Sequence, residues 1–190
     1  TLFRSELVYD LKNARHVVLQ TRNLLEAINV KEVNDFLDAR DAGCKLTVID
    51  VRANIPAAKA DRFFQIRPGT DYAFNLAVIH VLIAEKLYDR KFVKEWIHDL
   101  DVLKEFVKPY DPDWAERETG ASAVKLRQFA RELAKAAPHV IWHPGWMTAR
   151  YSTSFYVSRT AYIINALLGA IGCKGGLPLA NKPSHLGKKG

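Results

Sequence analysis

The sequence predicts an α/β protein in which a Rossmann-like parallel sheet is flanked by helices. Three observations support this fold class. Apolar segments of four to six residues, the length of buried strands, recur along the chain. Between them lie longer segments whose apolar residues recur every three or four positions, as in amphipathic helices. Such alternation forms parallel βαβ units with right-handed crossovers, and no internal repeat or low-complexity tract interrupts it.

Four segments carry the strand pattern. HVVLQ, residues 16–20, is a short apolar run between polar residues, and KLTVID, residues 45–50, is rich in β-branched side chains. RFFQI, residues 62–66, is a third extended segment, and HVIWH, residues 139–143, is the last. We therefore expect parallel strands over these four ranges.

The helical segments follow the strands in turn. The first carries Val30, Val33 and Phe36 at helical spacing and ends at Gly43. The second, residues 72–87, is apolar nearly all round and is predicted to be buried, with Thr70 or Asp71 as its cap. The other predictions are one or two amphipathic helices over 89–107, a surface connection over 110–120, an amphipathic helix over 122–136 and a long helix over 153–171.

The composition suits one domain, or one domain and part of another: 190 residues, 48% hydrophobic and 26% charged. The net charge of +7 permits a phosphate-bearing ligand, but the basic residues are scattered, which argues against nucleic-acid binding; a solvated basic surface is the alternative. The longest uncharged run, residues 160–173, is shorter than the roughly 20 residues that a bilayer requires. Cys44, Cys173 and the histidines show no metal-ligand spacing, so no metal site is predicted.

Four loops follow the predicted strands: residues 21–26, 50–54, 67–71 and 144–150. In open α/β sheets, ligands bind beyond the carboxyl ends of the strands, and these loops are expected to meet at that edge. The usual phosphate-binding motifs are absent, because the sequence has neither GxGxxG after the first strand nor GxxxxGK[ST]. GAIGCKGG, residues 169–176, follows a helix pattern and is expected to be a turn. An ordinary NAD or ATP site is therefore disfavoured.

The residues of these loops suit a nucleotide. Asp50, at the end of a strand, can accept hydrogen bonds from a ribose diol, and Arg52 offers a planar fork for phosphate or a purine edge. Gly69 lets the backbone approach a ligand closely, and Asp71 can accept hydrogen bonds from the N–H groups of guanine. In the alternative interpretation, Asp50 and Asp71 cap helices and Arg52 pairs with one of them.

The combination of TRNLLEA (21–27), VIDVR (48–52), the block IRPGTD to LYDRKFV (66–93) and NALLGAIGCKGG (165–176) resembles the molybdopterin oxidoreductase family. This is the dimethyl sulfoxide reductase superfamily, whose cofactor is molybdenum bis(molybdopterin guanine dinucleotide). Together with the first and last of these segments, the segment PGWMTARYSTSFYVSRTAYIINALLG (144–169) is most similar to catalytic subunits of thiosulfate and polysulfide reductases. The resemblance spans residues 7–190.

The resemblance implies which residues hold the cofactor. The guanosine-diphosphate arm would lie on three loops, and a fourth loop would approach the pterin. The implied cofactor-binding residues are Arg22, Asn23 and Glu26 in the first loop, Asp50, Arg52 and Asn54 in the second, Gly69, Thr70 and Asp71 in the third, and Gly145, Trp146 and Thr148 in the fourth.

One arginine is a candidate catalytic residue. Arg159 matches a position near the metal and substrate, and a charged fork in an otherwise apolar helix needs an anionic partner or a wet cavity. A salt bridge inside a domain interface is the alternative for Arg159. His143 either contacts the ligand or is a strand-end histidine, and His80 is expected to be a core residue.

Two positions depart from the family pattern. Thr21 stands where relatives usually have glycine, which puts a close backbone approach at that loop in doubt. Val51 stands where they usually have proline, a milder change after Asp50.

The resemblance implies an internal fragment of a catalytic subunit that is inactive on its own. The whole enzyme is expected to reduce thiosulfate or polysulfide, with arsenate, tetrathionate and formate chemistry as alternatives. By analogy we expect a [4Fe-4S] cluster upstream, an iron–sulfur electron-transfer subunit, a membrane anchor subunit and a periplasmic location, otherwise a cytoplasmic one. A non-catalytic relative in a respiratory complex and a stand-alone nucleotide-binding module are the competing hypotheses.

Three segments are expected along the chain. Residues 1–5, TLFRS, match what a common sequencing adapter would encode and are expected to be a non-native artefact. Residues 6–145 are predicted to form the dinucleotide-binding α/β domain, incomplete at its N-terminus. Residues 146–190 are predicted to be a helix and glycine-rich loop of an adjoining, truncated domain.

Overall fold

The computed structural model describes residues 8–26, 29–145 and 152–179. It contains a four-stranded sheet of His16–Gln20 (β1), Lys45–Asp50 (β2), Arg62–Gln65 (β3) and Val140–Pro144 (β4). The spatial order is β3-β2-β1-β4, and every neighbouring pair is parallel. This confirms the predicted α/β class with a parallel sheet, and the predicted strands lie within one residue of the observed ones.

Eight α-helices connect and cover the strands in the described part of the chain. They are Val30–Asp41 (α1), Ile55–Ala58 (α2), Asp71–Ala84 (α3), Arg90–Trp96 (α4), Leu100–Val107 (α5), Pro112–Thr119 (α6), Ala123–Ala136 (α7) and Ser154–Leu167 (α8). Short 3-10 turns span Leu11–Asn13 and Leu24–Glu26. Helices on both faces are what a parallel sheet requires, because neither of its faces can be left to solvent.

The side chains of β1 alternate between two cores. Val18 lies in the larger core, which α3, α7 and α8 cover, whereas Val17 and Leu19 lie in a smaller core beneath α1. Helix α3 is buried on nearly every side because α5, α6, α7 and α8 all pack against it. This confirms the interpretation of its apolar sequence.

The segment 110–120, predicted to be a surface connection, contains helix α6 instead. The prediction was wrong because the capping signals at both ends were overlooked. Asp111 accepts a hydrogen bond from the Trp114 backbone N–H at 2.7 Å, and Pro112 occupies the first turn. Gly120 ends the helix in the left-handed conformation, at φ 81°.

Two helices are shorter than predicted. Helix α3 ends at Ala84 rather than at residue 87, and α8 ends at Leu167 rather than at residue 171. Gly169, with φ 67°, turns the chain after α8. The glycine-rich segment that follows is the expected turn, since the Leu177 N–H bonds back to the Ala170 carbonyl at 2.8 Å.

Helix α8 belongs, by its packing, to the core of the sheet. It contacts α3 and β4, and its residues Ala161 and Ile164 are fully buried in the larger core. The domain division at residue 145 stays a prediction. Within the described residues, no helix combines the length and the apolar character needed to cross a membrane.

Helix α7 offers a test of this packing. Leu126 is fully buried in the larger core, whereas Val124 on the same helix is 63% exposed. We expect Leu126→Ala to lower the free energy of unfolding by about 3 kcal/mol, because it leaves a cavity in the core. Val124→Ala is the matched control and should change it by less than about 0.5 kcal/mol in the same urea titration. Equal losses in the two variants would contradict the assignment of the buried face.

Candidate functional site

The carboxyl ends of the four strands lie level at one edge of the sheet. Gln20, the last residue of β1, is in register with Ile49 of β2 and with Pro144 of β4, and Asp50 is in register with Gln65 of β3. From β1 the chain continues to β2 and β3 on one side of β1, and then crosses to β4 on the other side of β1. This places a topological switch point between β1 and β4, where ligands of open α/β sheets bind.

Buried polar atoms without partners are concentrated at this edge. Among the described residues, five buried side-chain atoms have no hydrogen-bond partner, and four of them lie on the loops after β1 and β3: Thr21 Oγ1, Arg22 Nε, Asn23 Oδ1 and Asp71 Oδ2. The fifth, His16 Nδ1, lies at the opposite end of β1. Because an unsatisfied buried polar group costs about 1–3 kcal/mol, such a concentration indicates a place prepared for a polar ligand.

The loop after β1 holds a buried arginine. Arg22 is 8% exposed, and its guanidinium donates to the Glu32 carboxylate of α1 at 2.7 Å. This ion pair occupies one end of the guanidinium and leaves its Nε–H without a partner. Asn23 donates to Glu26 within the same loop. Arg22 is therefore held in one orientation, and its Nε–H remains available to a ligand.

Thr21 occupies a backbone conformation that favours glycine. Its φ of 49° lies in the left-handed region, where a β-branched residue is strained. Directly opposite, the Gly145 N–H donates to the Gln20 carbonyl at 2.7 Å. A Cβ built on Gly145 would lie 2.2 Å from the Thr21 carbonyl oxygen, so only glycine fits there. The two loops at the switch point thus touch through their backbones despite the departure at position 21.

The loop after β2 is folded around Asp50. Its carboxylate accepts hydrogen bonds from the Val51 N–H at 2.7 Å and from Asn54 Nδ2 at 2.9 Å. Asn54, rather than Asp50, caps α2 by accepting from the Ala57 N–H at 2.9 Å. Arg52 is exposed, and no ion pair joins it to an acid in the described part of the chain. The Asp50 carboxylate therefore stabilises the fold of its own loop, and a contact with a ligand would come in addition to these hydrogen bonds.

The loop after β3 leads into a buried acid. Gly69 has φ 80°, and Thr70 uses its hydroxyl to donate to the Arg67 carbonyl at 2.7 Å instead of capping α3. Asp71 is 1% exposed, and Gln20 donates to its Oδ1 at 3.2 Å. Burial raises the pKa of this carboxyl, and the charge of Asp50 raises it further. Hydrogen bonds from its own backbone N–H and from Gln20 act in the opposite direction.

The remaining candidates have different surroundings. Arg159 is exposed on α8, so neither a buried ion pair nor an enclosed cavity surrounds it within the described residues. His143 stacks on Tyr9 with ring centroids 4.0 Å apart, and burial lowers its pKa to about 4, which keeps the ring neutral at pH 7. His80 is half-buried rather than a core residue, and its Nδ1 lies 3.0 Å from the Val107 carbonyl oxygen.

Trp146 and Thr148 lie outside the described residues, as do residues 1–5. The other sequence-predicted cofactor residues lie on the loops at the carboxyl edge. Three residues that support the predicted ones were not predicted from the sequence: Gln20 contacts Asp71, Glu32 pairs with Arg22, and Trp142 donates to Gln20. Gln20 could have been found from its position, as an uncharged polar residue that ends a buried strand. Nothing near Glu32 in the sequence indicates its pairing with Arg22.

The Arg22–Glu32 pair can be tested against the Lys31–Asp35 pair of the same helix, because the two acids are equally exposed, at 27%, whereas Lys31 is exposed and Arg22 is buried. Glu32→Gln leaves the guanidinium of the buried Arg22 without its counter-charge, so we expect a loss of about 2 kcal/mol in the free energy of unfolding. Asp35→Asn removes the acid that pairs with Lys31, which is 82% exposed, and should cost less than about 0.5 kcal/mol. Chemical denaturation of both variants makes the comparison, and a cost for Glu32→Gln no larger than for Asp35→Asn would show that Arg22 is not held by this pair.

The chain is similar in sequence and in structure to several characterised or named proteins. The sequence matches no protein-family model. It is 36% identical over 172 residues, 90% of the chain, to the molybdopterin-containing subunit of thiosulfate reductase from Salmonella typhimurium. It is 36% identical over 139 residues to a putative formate dehydrogenase from Staphylococcus aureus, and 35% identical over 150 residues to acetylene hydratase from Syntrophotalea acetylenica, 73% and 78% of the chain. The solved structure of acetylene hydratase from Pelobacter acetylenicus superposes on 92% of the chain with a TM-score of 0.84 and 31% identity.

These relatives are much longer than the chain. The matched segment covers 23% of the thiosulfate reductase subunit, 14% of the putative formate dehydrogenase, 20% of acetylene hydratase and 24% of the solved chain. Within this segment, the sequence match to the thiosulfate reductase subunit and the superposition on acetylene hydratase both span about nine tenths of the chain. The chain belongs to the molybdopterin oxidoreductase family.

Proposed function

We propose that the chain is part of the catalytic subunit of a molybdenum bis(molybdopterin guanine dinucleotide) oxidoreductase and holds the guanosine-diphosphate arm of the cofactor. The observation that carries this proposal is the concentration of unpartnered buried polar atoms on the loops at the carboxyl edge. One of them is a donor on a cation, Arg22 Nε, and another is an acceptor on an acid, Asp71 Oδ2. A ligand that fits both must combine anionic groups with N–H donors, as a guanosine diphosphate does.

The residues present fit such a group. Arg22, fixed by Glu32, offers its Nε–H to a phosphate oxygen. The backbones of Thr21 and Gly145 lie in close contact at the switch point. Asp71 offers Oδ2 to the neighbouring N–H groups of a guanine. Asn54 and Asp50 keep the second loop folded beside them. When bound, the molybdenum–pterin group supplies two-electron redox chemistry, and the role of this chain is to bind and orient it.

For the whole enzyme we propose reduction of thiosulfate or polysulfide. The support is the length of the match, since the thiosulfate reductase subunit aligns with 90% of the chain and the other two named relatives with 73% and 78%. The identities of 36%, 36% and 35% do not separate them. Activity of the holoenzyme decides the matter: we expect faster turnover with thiosulfate or polysulfide than with formate, arsenate or tetrathionate, and faster formate oxidation would overturn the choice.

The same assignment carries proposals about the surroundings of the enzyme. Reduction of a sulfur substrate needs an electron supply, so we propose a [4Fe-4S] cluster in the subunit, an iron–sulfur partner subunit and a membrane anchor. A periplasmic location goes with this arrangement. Arg159, exposed on α8 next to aromatic residues, is available to contact an anionic substrate or a neighbouring segment of the subunit.

Base specificity tests the guanine assignment. Guanine presents two adjacent N–H donors to a carboxylate, whereas xanthine replaces one of them with a carbonyl oxygen. We expect Asp71→Asn to weaken binding of guanosine diphosphate roughly tenfold to hundredfold and to improve binding of xanthosine diphosphate, because the new amide donates to that carbonyl. Isothermal titration of the 190-residue chain measures both affinities.

Two controls separate a change in base specificity from a loss of folding. Because burial raises the pKa of Asp71, its ionised form is disfavoured by folding, so the ligand-free Asp71→Asn chain should be at least as stable as the wild type at neutral pH. Asp41→Asn, an exposed acid at the far end of α1, should leave both affinities unchanged. Equal affinity of wild type and Asp71→Asn for guanosine diphosphate would overturn the assignment.

A further inference from the structure

A buried polar network lies behind Asp71, between β1, β4, α3 and α8. Its centre is Gln20, whose side chain is fully buried at the end of β1. Gln20 Nε2 donates to Asp71 Oδ1 at 3.2 Å and to Asn75 Oδ1 at 3.0 Å. Gln20 Oε1 accepts from Trp142 Nε1 at 2.8 Å and from Asn75 Nδ2 at 3.3 Å. Every hydrogen-bonding group of this amide is therefore used.

The orientation of the Gln20 amide is fixed by a group that can only donate. The indole N–H of Trp142 has no acceptor function, so the oxygen of Gln20 must face it. The NH2 group must then face Asp71 and Asn75. A rotated amide would place an oxygen against the Asp71 carboxylate and a donor against the indole N–H, and would lose all of these hydrogen bonds.

Asn75 is fixed from a second side. Its Nδ2 also donates to Thr160 Oγ1 at 3.0 Å and to the Val157 carbonyl at 3.3 Å, both on α8. Asn75 is fully buried, as is Trp142. The network is thus held by β4 and by α8 at once, and it presents one rigid N–H to the carboxylate of Asp71.

We propose that Gln20 is a positioning and specificity-determining residue: it holds Asp71 Oδ1 and leaves Oδ2 directed to the paired N–H donors of a guanine base. This inference rests on the proposed function, which it deepens by naming the residue that sets how the acid reads the base. Gln20 itself is too deeply buried to contact the ligand. It acts through Asp71.

The charges around Asp71 explain why it needs such a donor. Burial disfavours the carboxylate, and Asp50 at the end of β2 adds a repulsive charge, both of which raise the pKa of Asp71. The opposing contributions come from the backbone N–H of Asp71 at the start of α3 and from Gln20 on β1. A protonated Asp71 would offer a donor where the guanine also offers donors. Gln20 therefore favours the form of the acid that can bind.

The alternative is that Gln20 only fills and satisfies the core. Its removal would then lower stability without changing how Asp71 titrates or which base binds. The two roles are separable because they predict different readouts. Stability responds in both cases, whereas the titration of Asp71 and the preference between bases respond only if Gln20 positions the acid.

Three variants of the chain test the inference. Gln20→Met keeps the length of the side chain and removes both donors, and Gln20→Glu keeps an acceptor for Trp142 but turns a carboxylate towards Asp71. Thr160→Val is the matched control, because it removes a buried hydroxyl of the same network that touches neither Gln20 nor Asp71. The measurements are the titration of Asp71 by carboxyl carbon NMR in the ligand-free chain, and the affinities for guanosine and xanthosine diphosphate from pH 5 to 8.

The expected results follow from the lost donor. The midpoint of the Asp71 titration should rise by about one pH unit in Gln20→Met, since a hydrogen bond to a charged group is lost, and should rise also in Gln20→Glu. Binding of guanosine diphosphate is lost as the pH falls through this midpoint, so the loss should begin at a higher pH in both variants. Discrimination against xanthosine diphosphate should fall several-fold, and Thr160→Val should match the wild type in both readouts.

Two results would overturn the inference, and a third would overturn the proposed function. A folded Gln20→Met chain with the wild-type midpoint, or with unchanged preference between the two nucleotides, contradicts a positioning role. If Gln20→Met fails to fold, Gln20→Glu decides by the same two readouts. A wild-type chain that binds no guanosine diphosphate overturns the guanine assignment and the ligand part of this inference, while the effect of Gln20 on the Asp71 titration is still measured.

Discussion

Parallel pairing of all four strands is the constraint on which the rest of this structure depends. Parallel strands bring their carboxyl ends to one edge, and the register of β1 with β2 and β4 brings those ends level. Loops that are far apart in sequence therefore begin at the same place. The polar residues on them lie along one edge although 48 positions separate Asn23 from Asp71 in the sequence. The position of the candidate site is therefore set by the strand topology, and its chemistry by the residues on the loops.

Buried hydrogen bonds then select which atoms remain available. Asp50 is used to fold its own loop, and Gln20 takes one oxygen of Asp71. Glu32 takes one end of Arg22. What is left over is a set of single donors and acceptors with fixed directions. A site assembled in this way loses little conformational entropy when a ligand binds, because its side chains are already ordered.

The strands and most helices could be predicted from the sequence because their signals are local. The β-branched segment of β2 and the continuous apolar pattern of α3 need no knowledge of neighbours. Helix α6 was not predicted although its capping residues, Asp111, Pro112 and Gly120, are present in the sequence. The loops of the site could also be predicted, because they follow from strand order. Their internal contacts could not, since Gln20 to Trp142 and Arg22 to Glu32 are contacts that no local pattern encodes.

The most direct test of a shared ligand edge is a crystal structure of the chain with guanosine diphosphate. The account predicts that one nucleotide lies across the carboxyl ends of the strands, with its base on Asp71 Oδ2 and a phosphate oxygen on Arg22 Nε, so that two of the four unpartnered atoms gain partners. A nucleotide bound at the opposite edge of the sheet, or one that leaves Arg22 and Asp71 untouched, would contradict it.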